Sequence, residues 1–283
     1  MTVTREDQWL RKEVSSAPAE VTKQRASPQP VACTETTSAP MPPATIAKKR
    51  STAFHTVLLA CGVIAPLLYL ASDLIAGLRW EGYSFRDQTI SELNAIGAPT
   101  RSLTIVLGLI GYGLFVAFGV GVWRSAWAAT SSLRVAGAAL VSYGVLALFA
   151  VPFFSMHVRE AEETFSDTLH LVGGGIAALL LLVIIVSGAR SLGTRFWLYS
   201  IATIVVTFAF TAWSGMDGPE LADNLATPWI GVKERVGIYA YQLWLVVFAI
   251  ALLRRQRKEA AEDARRETIW SGSALPTAGA SPR

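Results

Sequence analysis

Apolar residues run almost without interruption through six stretches of the chain: Phe54–Leu78, Leu103–Trp123, Val135–Phe154, Leu169–Ala189, Phe196–Trp213 and Val236–Leu253. Each is 18 to 25 residues long. A helix rises ~1.5 Å per residue, so about 20 residues cross the ~30 Å hydrocarbon layer. The pattern predicts an all-α fold, a polytopic membrane protein with a six-transmembrane-helix bundle over residues 54–253. The flanks differ. Residues 1–53 are expected to be a disordered tail, because residues 1–50 hold six of the thirteen prolines and few large apolar side chains. Residues 254–283 form a basic tail, helical at first, with opposite charges four apart at Arg255–Glu259 and Lys258–Glu262, and fraying after Ser271.

Composition sharpens this class. Only 16% of the residues are charged and 52% are hydrophobic, against about a quarter charged in a soluble domain, which excludes an ordinary soluble enzyme. The net charge of +4 does not imply nucleic acid, because 15 of the 25 basic residues lie in the two tails. There they signal topology and attract anionic membrane lipids. Two cysteines, Cys33 and Cys61, are too few for a disulfide framework or a thiolate metal site. With the N-terminus inside, thirteen of the Lys and Arg near the helix ends fall on the cytoplasmic side and six on the other. Both termini are therefore expected in the cytoplasm, with the chain in the cell (plasma or inner) membrane. The first apolar run has no cleavage signal and is expected to stay as an anchor.

Within the helices, Gly113, Ala117, Gly121 and the run Gly173–Gly175 are placed for close helix contacts. Thr203, Thr207 and Thr211 form a stripe that reads as helix packing or, less simply, as a polar path. Pro66 is expected to kink the first helix. Asp73 is the one charged residue inside the six runs. A carboxylate at that depth needs a counter-ion or a function.

The connections on the expected outer side hold most of the remaining chemistry. In the first, Thr89-Ile90-Ser91-Glu92 fits a capping box, Gly97 and Pro99 end the turn, and Arg101 opens the next helix. The second carries His157 and His170, with Glu160, Glu162, Glu163 and Asp167 between them. Imidazoles and carboxylates at a membrane boundary suit a divalent metal or an acid–base pair. Equally, Asp167 would cap its own helix and the acids would be a solvated loop. The third ends in Glu234 and Arg235 at the start of the last helix, where Arg235 is a candidate counter-ion for Asp73 or a clamp for a lipid phosphate.

The segments ISELNAIGAPTR (90–101), MHVREAEETFSDTLH (156–170) and GVKERVGIYAYQLWL (231–245) resemble a family of bacterial multi-pass membrane proteins known only as a domain of unknown function. The resemblance covers roughly 55–253. It implies a six-helix integral membrane protein and no particular reaction.

Three functions fit these residues. One is a binding, sensing or accessory role for an outward-facing polar site. Another is a membrane-embedded enzyme, with or without a metal, acting on a lipid or lipid-linked substrate at the outer leaflet. In that case His157, His170, Asp167 and Asp73 would be catalytic, with the histidines as metal ligands, and Glu92, Arg101, Glu234 and Arg235 would hold the substrate. The last is a transporter, which the lack of repeats and broken helices disfavours. No haem is expected, because no two histidines sit on facing helices within the membrane.

Overall fold

The computed structural model describes residues 43–126, 131–162 and 164–273. Residues 1–42 of the expected tail, with Cys33, lie outside the described residues, as do Glu163 and 274–283. The elements, all helical, are α1 (Pro43–Arg79), a 3₁₀ turn (Ser91–Asn94), α2 (Arg101–Ser125), α3 (Ser131–Phe153), α4 (Phe165–Ala189), α5 (Thr194–Gly215), a short α6 (Gly218–Ala222) and α7 (Ile230–Ser273). Six of these helices are long and apolar enough to cross a membrane.

The four inner long helices, α2 to α5, begin and end within a few residues of their apolar runs. The outermost ones do not. Helix α1 begins at Pro43, inside the stretch expected to be disordered, and continues unbroken as helix through Pro66. Helix α7 begins at Ile230 and runs on through the basic segment to Ser273, where Arg255 and Glu259 form their i,i+4 pair at 2.8 Å.

The helices form a ring in chain order. Each long helix packs on its sequence neighbour, α5 on α7, and α7 closes on α1, while α4 touches α5 only sparsely. At one end, the tail end, Gln256 Nε2 of α7 donates to the carbonyl of Thr52 on α1 at 3.2 Å. The three longer connections gather at the other, the lid end.

The two halves of the ring differ in packing. The fully buried large apolar side chains of the helices, among them Leu59, Phe118, Leu140, Ile184, Trp244 and Phe248, all belong to the tail half. Phe248 stacks on Trp244 at 4.9 Å between ring centroids and on Phe196 at 5.9 Å. Lipid tails are as apolar as these side chains, so close van der Waals packing, not escape from water, holds such helices together. Gly137 of α3 shows how close: a Cβ there would lie 2.6 Å from the Trp123 backbone nitrogen of α2. Gly121 meets the backbone of α1 in the same way. By contrast, a Cβ on Gly113, Gly173, Gly174 or Gly175 would meet nothing within 4 Å, so the expected small-residue contacts at those positions are not made. The threonine stripe of α5 faces α7, where Gly237 approaches Thr207 and Thr211, and Thr203 Oγ1 donates to the Tyr199 carbonyl one turn back.

Candidate functional site: a roofed cavity in the lid half

The lid is assembled from all three long connections. In the first, Thr89 and Glu92 make the reciprocal bonds of the capping box: the Thr89 amide donates to Glu92 Oε2 at 2.7 Å, and the Glu92 amide to Thr89 Oγ1 at 3.2 Å. The helical segment they start is a single 3₁₀ turn. Gly97, with φ of +95°, then adopts a backbone conformation that side chains disfavour. This lets Ile96 pair with the second connection, its amide donating to the Met156 carbonyl at 2.7 Å and its carbonyl accepting from the Val158 amide at 3.0 Å.

Arg159 locks the three together. Its Nε donates to the buried Glu92 carboxylate at 2.7 Å, and its Nη2 reaches the Asp87 carbonyl and Thr227 Oγ1 of the third connection, each at 3.0 Å. Nearby, Asp87 accepts from the Trp229 amide at 3.0 Å. The Arg86 guanidinium and that amide hold the Asp87 carboxyl below the usual carboxylate range. Burial pushes the Tyr83 phenol up, against the pull of Arg235 beside it.

Beneath the lid stands one buried ion pair. Asp73 of α1 takes two parallel bonds from Arg235 of α7, at 3.0 and 2.9 Å, and a third from the Tyr239 hydroxyl. Arg235 gives its other protons to Tyr83 Oη at 2.6 Å and to the carbonyls of Phe85, Gln88 and Gly231 at 2.9–3.1 Å. The guanidinium thus ties α7 to α1 and to the first connection, with every donor engaged. The neighbouring Glu234 accepts from the Ile90 amide and from Ser91 Oγ, capping the 3₁₀ turn from below. Arg101 donates to the carbonyls of Asn94 and Pro152 at 2.7 and 3.1 Å, joining α2 to the end of α3.

The histidines have separate duties. Asp167 closes a capping box with Thr164 at the start of α4 and accepts from the His157 amide and Nδ1 at 2.7 and 2.8 Å. His170 Nδ1 lies 3.2 Å from the Phe154 carbonyl. An acceptor there requires the proton on Nδ1, which leaves Nε2 of the neutral ring as an acceptor. The structure therefore does not bring the two histidines into one ligand set. Among the described residues no three His, Cys, Asp or Glu side chains gather to hold a metal.

A cavity of about 170 Å³ lies under the lid, walled by α1, α2, α3 and α7 and roofed by residues of the 3₁₀ turn. Asp73 and His170 reach it; among the described residues Glu92, Arg101, His157, Asp167, Glu234 and Arg235 do not line it. Just above its floor, which Ala65 and Phe115 close, stand residues that the loops and charges gave no reason to choose: Tyr69, Tyr112, Tyr143 and Tyr241, one from each wall helix. Tyr69 and Tyr143 lie ten residues from the lid ends of α1 and α3, and Tyr112 and Tyr241 lie eleven from those of α2 and α7. At ~1.5 Å per residue this is one layer, roughly 15 Å down and near the middle of the spans. Tyr143 and Tyr241 share a hydrogen bond of 3.2 Å. Among the described residues the hydroxyls of Tyr69, Tyr112 and Ser72 and the Oε1 of Gln242 have no partner, and Gln242 Oε1 is fully buried. Counting residues inward from the ends of the apolar runs would have placed Tyr69, Tyr112 and Tyr143 in one layer but not Tyr241, whose helix begins six residues before its run. Arg159 was visible only as a cation in an acid-rich loop.

Fold and site together define a multi-pass helical membrane protein with a roofed polar cavity in one half of its bundle. The chain belongs to the family described as protein of unknown function (DUF998), whose model matches residues 63–251. No curated protein and no solved structure matches the chain.

Proposed function

We propose that this is a binding or sensing protein of the cell membrane, with both chain ends in the cytoplasm and the lid and cavity on the opposite face. The orientation is supported by the excess of Lys and Arg near the helix ends on the tail side, thirteen against six. The binding role is carried by one observation. The ionised groups around the cavity are saturated by protein partners, while neutral polar atoms that face it are left open. Buried polar atoms without partners are rare in folded proteins and mark places where a ligand or water completes the bonding. Catalysis would need a second charged or nucleophilic group free to act beside His170, whose ring is the acid–base group left open at the cavity among the described residues. Asp73, Glu92, Glu234, Arg101 and Arg235 are instead held in the lid and its supports.

A two-part experiment tests this. Single cysteines at Glu160→Cys and Glu262→Cys, in a Cys33→Ser/Cys61→Ala background, are treated with an impermeant maleimide on intact cells. Position 160 should label and position 262 only after lysis; the reverse pattern overturns the orientation. Native mass spectrometry of the purified protein should then find a bound small molecule that is lost in Gly111→Leu, a change that fills the cavity without touching the lid. Equal bound mass in both proteins, or none in either, would sink the binding role.

A further inference from the structure

The geometry points to the class of ligand: an uncharged lipid with two free hydroxyl groups, of the monoacylglycerol kind, that enters from the side between α4 and α5. This rests on the binding reading above and adds the chemistry of the ligand and its route.

The route follows from the uneven wall. Helix α4 is held by its tail half, where Leu181, Ile184, Ile185 and Gly188 are buried. Above that, bonds from Asp167 and His170 tie its first turns to the second connection and the end of α3, and the stretch between packs loosely. Leu171 and Val172 are 75% and 54% exposed, and Gly173, Gly174 and Gly175 have open space where a Cβ would point. Helix α5 barely touches it and lends nothing to the cavity, while α4 lends only His170. Above, the way to water is covered by the 3₁₀ turn and its network of bonds. The thin wall therefore faces hydrocarbon, and what arrives through it is a lipid.

The headgroup follows from the polar atoms. Gln242 and His170 line the cavity; Gln242 Oε1 is a buried acceptor without a partner, and His170 Nε2 is an acceptor when Nδ1 carries the proton toward the Phe154 carbonyl, so a ligand donor would complete both. The Tyr69, Tyr112 and Ser72 hydroxyls can give or take. Among the described residues no cation lines the cavity to meet a phosphate: Arg101, Arg159 and Arg235 are each bound to several protein acceptors, and the charge of Asp73, which reaches the cavity, is already matched. A charged headgroup would enter without a counter-ion, which desolvation forbids. Size agrees. At ~30 Å³ for each water-sized group, about 170 Å³ takes roughly five or six, enough for a glycerol headgroup but not its chain. The chain would stay outside, along the exposed apolar faces of α4 and α5.

The test uses the full-length protein in phosphatidylcholine vesicles and a monoacylglycerol with a photoreactive acyl chain. Irradiation should attach the probe to the lid halves of α4 and α5. Unlabelled monoacylglycerol should displace it, and lysophosphatidic acid of the same chain should be at least tenfold weaker. Gln242→Leu should lower labelling about tenfold. Gly174→Trp, which closes the portal where the helix meets nothing, should abolish it with the melting temperature unchanged. Equal competition by lysophosphatidic acid, or labelling indifferent to both substitutions, overturns the inference. If Gly111→Leu still displaces a bound water-soluble molecule while the lipid probe fails, the lipid falls and the binding cavity stands.

Discussion

Asp73 and Arg235 sit almost wholly inside the protein, the Asp73 side chain at 0% exposure. Such a pair gains little over an apolar pair, because removing two charges from water offsets most of their attraction. Losing one partner is another matter. Asp73→Asn leaves Arg235 charged and buried, and is expected to cost about 3–5 kcal/mol, read as a drop in melting temperature of the detergent-solubilised protein. Asp73→Asn with Arg235→Gln should cost clearly less than the two single changes added together. Reversal, Asp73→Arg with Arg235→Asp, should not rescue. The carbonyls of Phe85, Gln88 and Gly231 need donors at position 235 that a carboxylate lacks. Additive losses in the cycle would show that the two residues act independently. Asp73 was legible in the sequence because a lone charge in an apolar run demands an account, and Arg235 was a natural counter-ion. Arg159 was not, since a loop sequence gives no hint of which acid folds back to meet it. The tyrosines escaped for a different reason: a hydropathy pattern hardly separates a phenol that packs from one that lines a cavity.

Helices carry a second contrast, between contact and exposure. The pattern of apolar runs located the helices but not how far each extends, because helix and apolar run end for different reasons. Helix α7 begins six residues before its run: Lys233 pairs with Asp217 at 2.6 Å and lies over the Trp213 ring, and Glu234 and Arg235 are bonded to the first connection. Those charged residues are helical and partly buried because each has a partner. Glycine spacing misleads in the same way, since it marks where helices are able to touch, not where they do. Gly137→Ala should destabilise by about 1–3 kcal/mol, because the added methyl meets the α2 backbone and the helices must part. Gly174→Ala should be neutral or stabilising by up to about 1 kcal/mol, since nothing lies near and alanine is the better helix former. Thermal melts of the two variants side by side check this. A destabilised Gly174→Ala would mean that the lid half of α4 packs against something.

At the scale of the molecule, the ring is solid at one end and hollow at the other, and this division bears on what the protein does. The cavity descends from the lid past a layer of four tyrosines to Ala65 and Phe115 and stops. Below it Phe118, Leu140, Ile184, Leu245 and Phe248 are each 0% exposed, and glycines bring the helix backbones of α1, α2 and α3 into contact. Opening a path through that half would mean separating interfaces packed to interior density, which lose their van der Waals contacts as soon as they part. The expected behaviour is therefore occupancy without passage. Proteoliposomes containing the full chain should show no more leak of protons, sodium or small polyols than empty vesicles. Tyr143→Ala, which removes part of the tyrosine layer above the plug, should enlarge the cavity and weaken ligand binding while leaving that leak unchanged. If it opened a flux instead, the tyrosine layer would be a gate and not a lining, and the tail half would have to possess a second, looser packing.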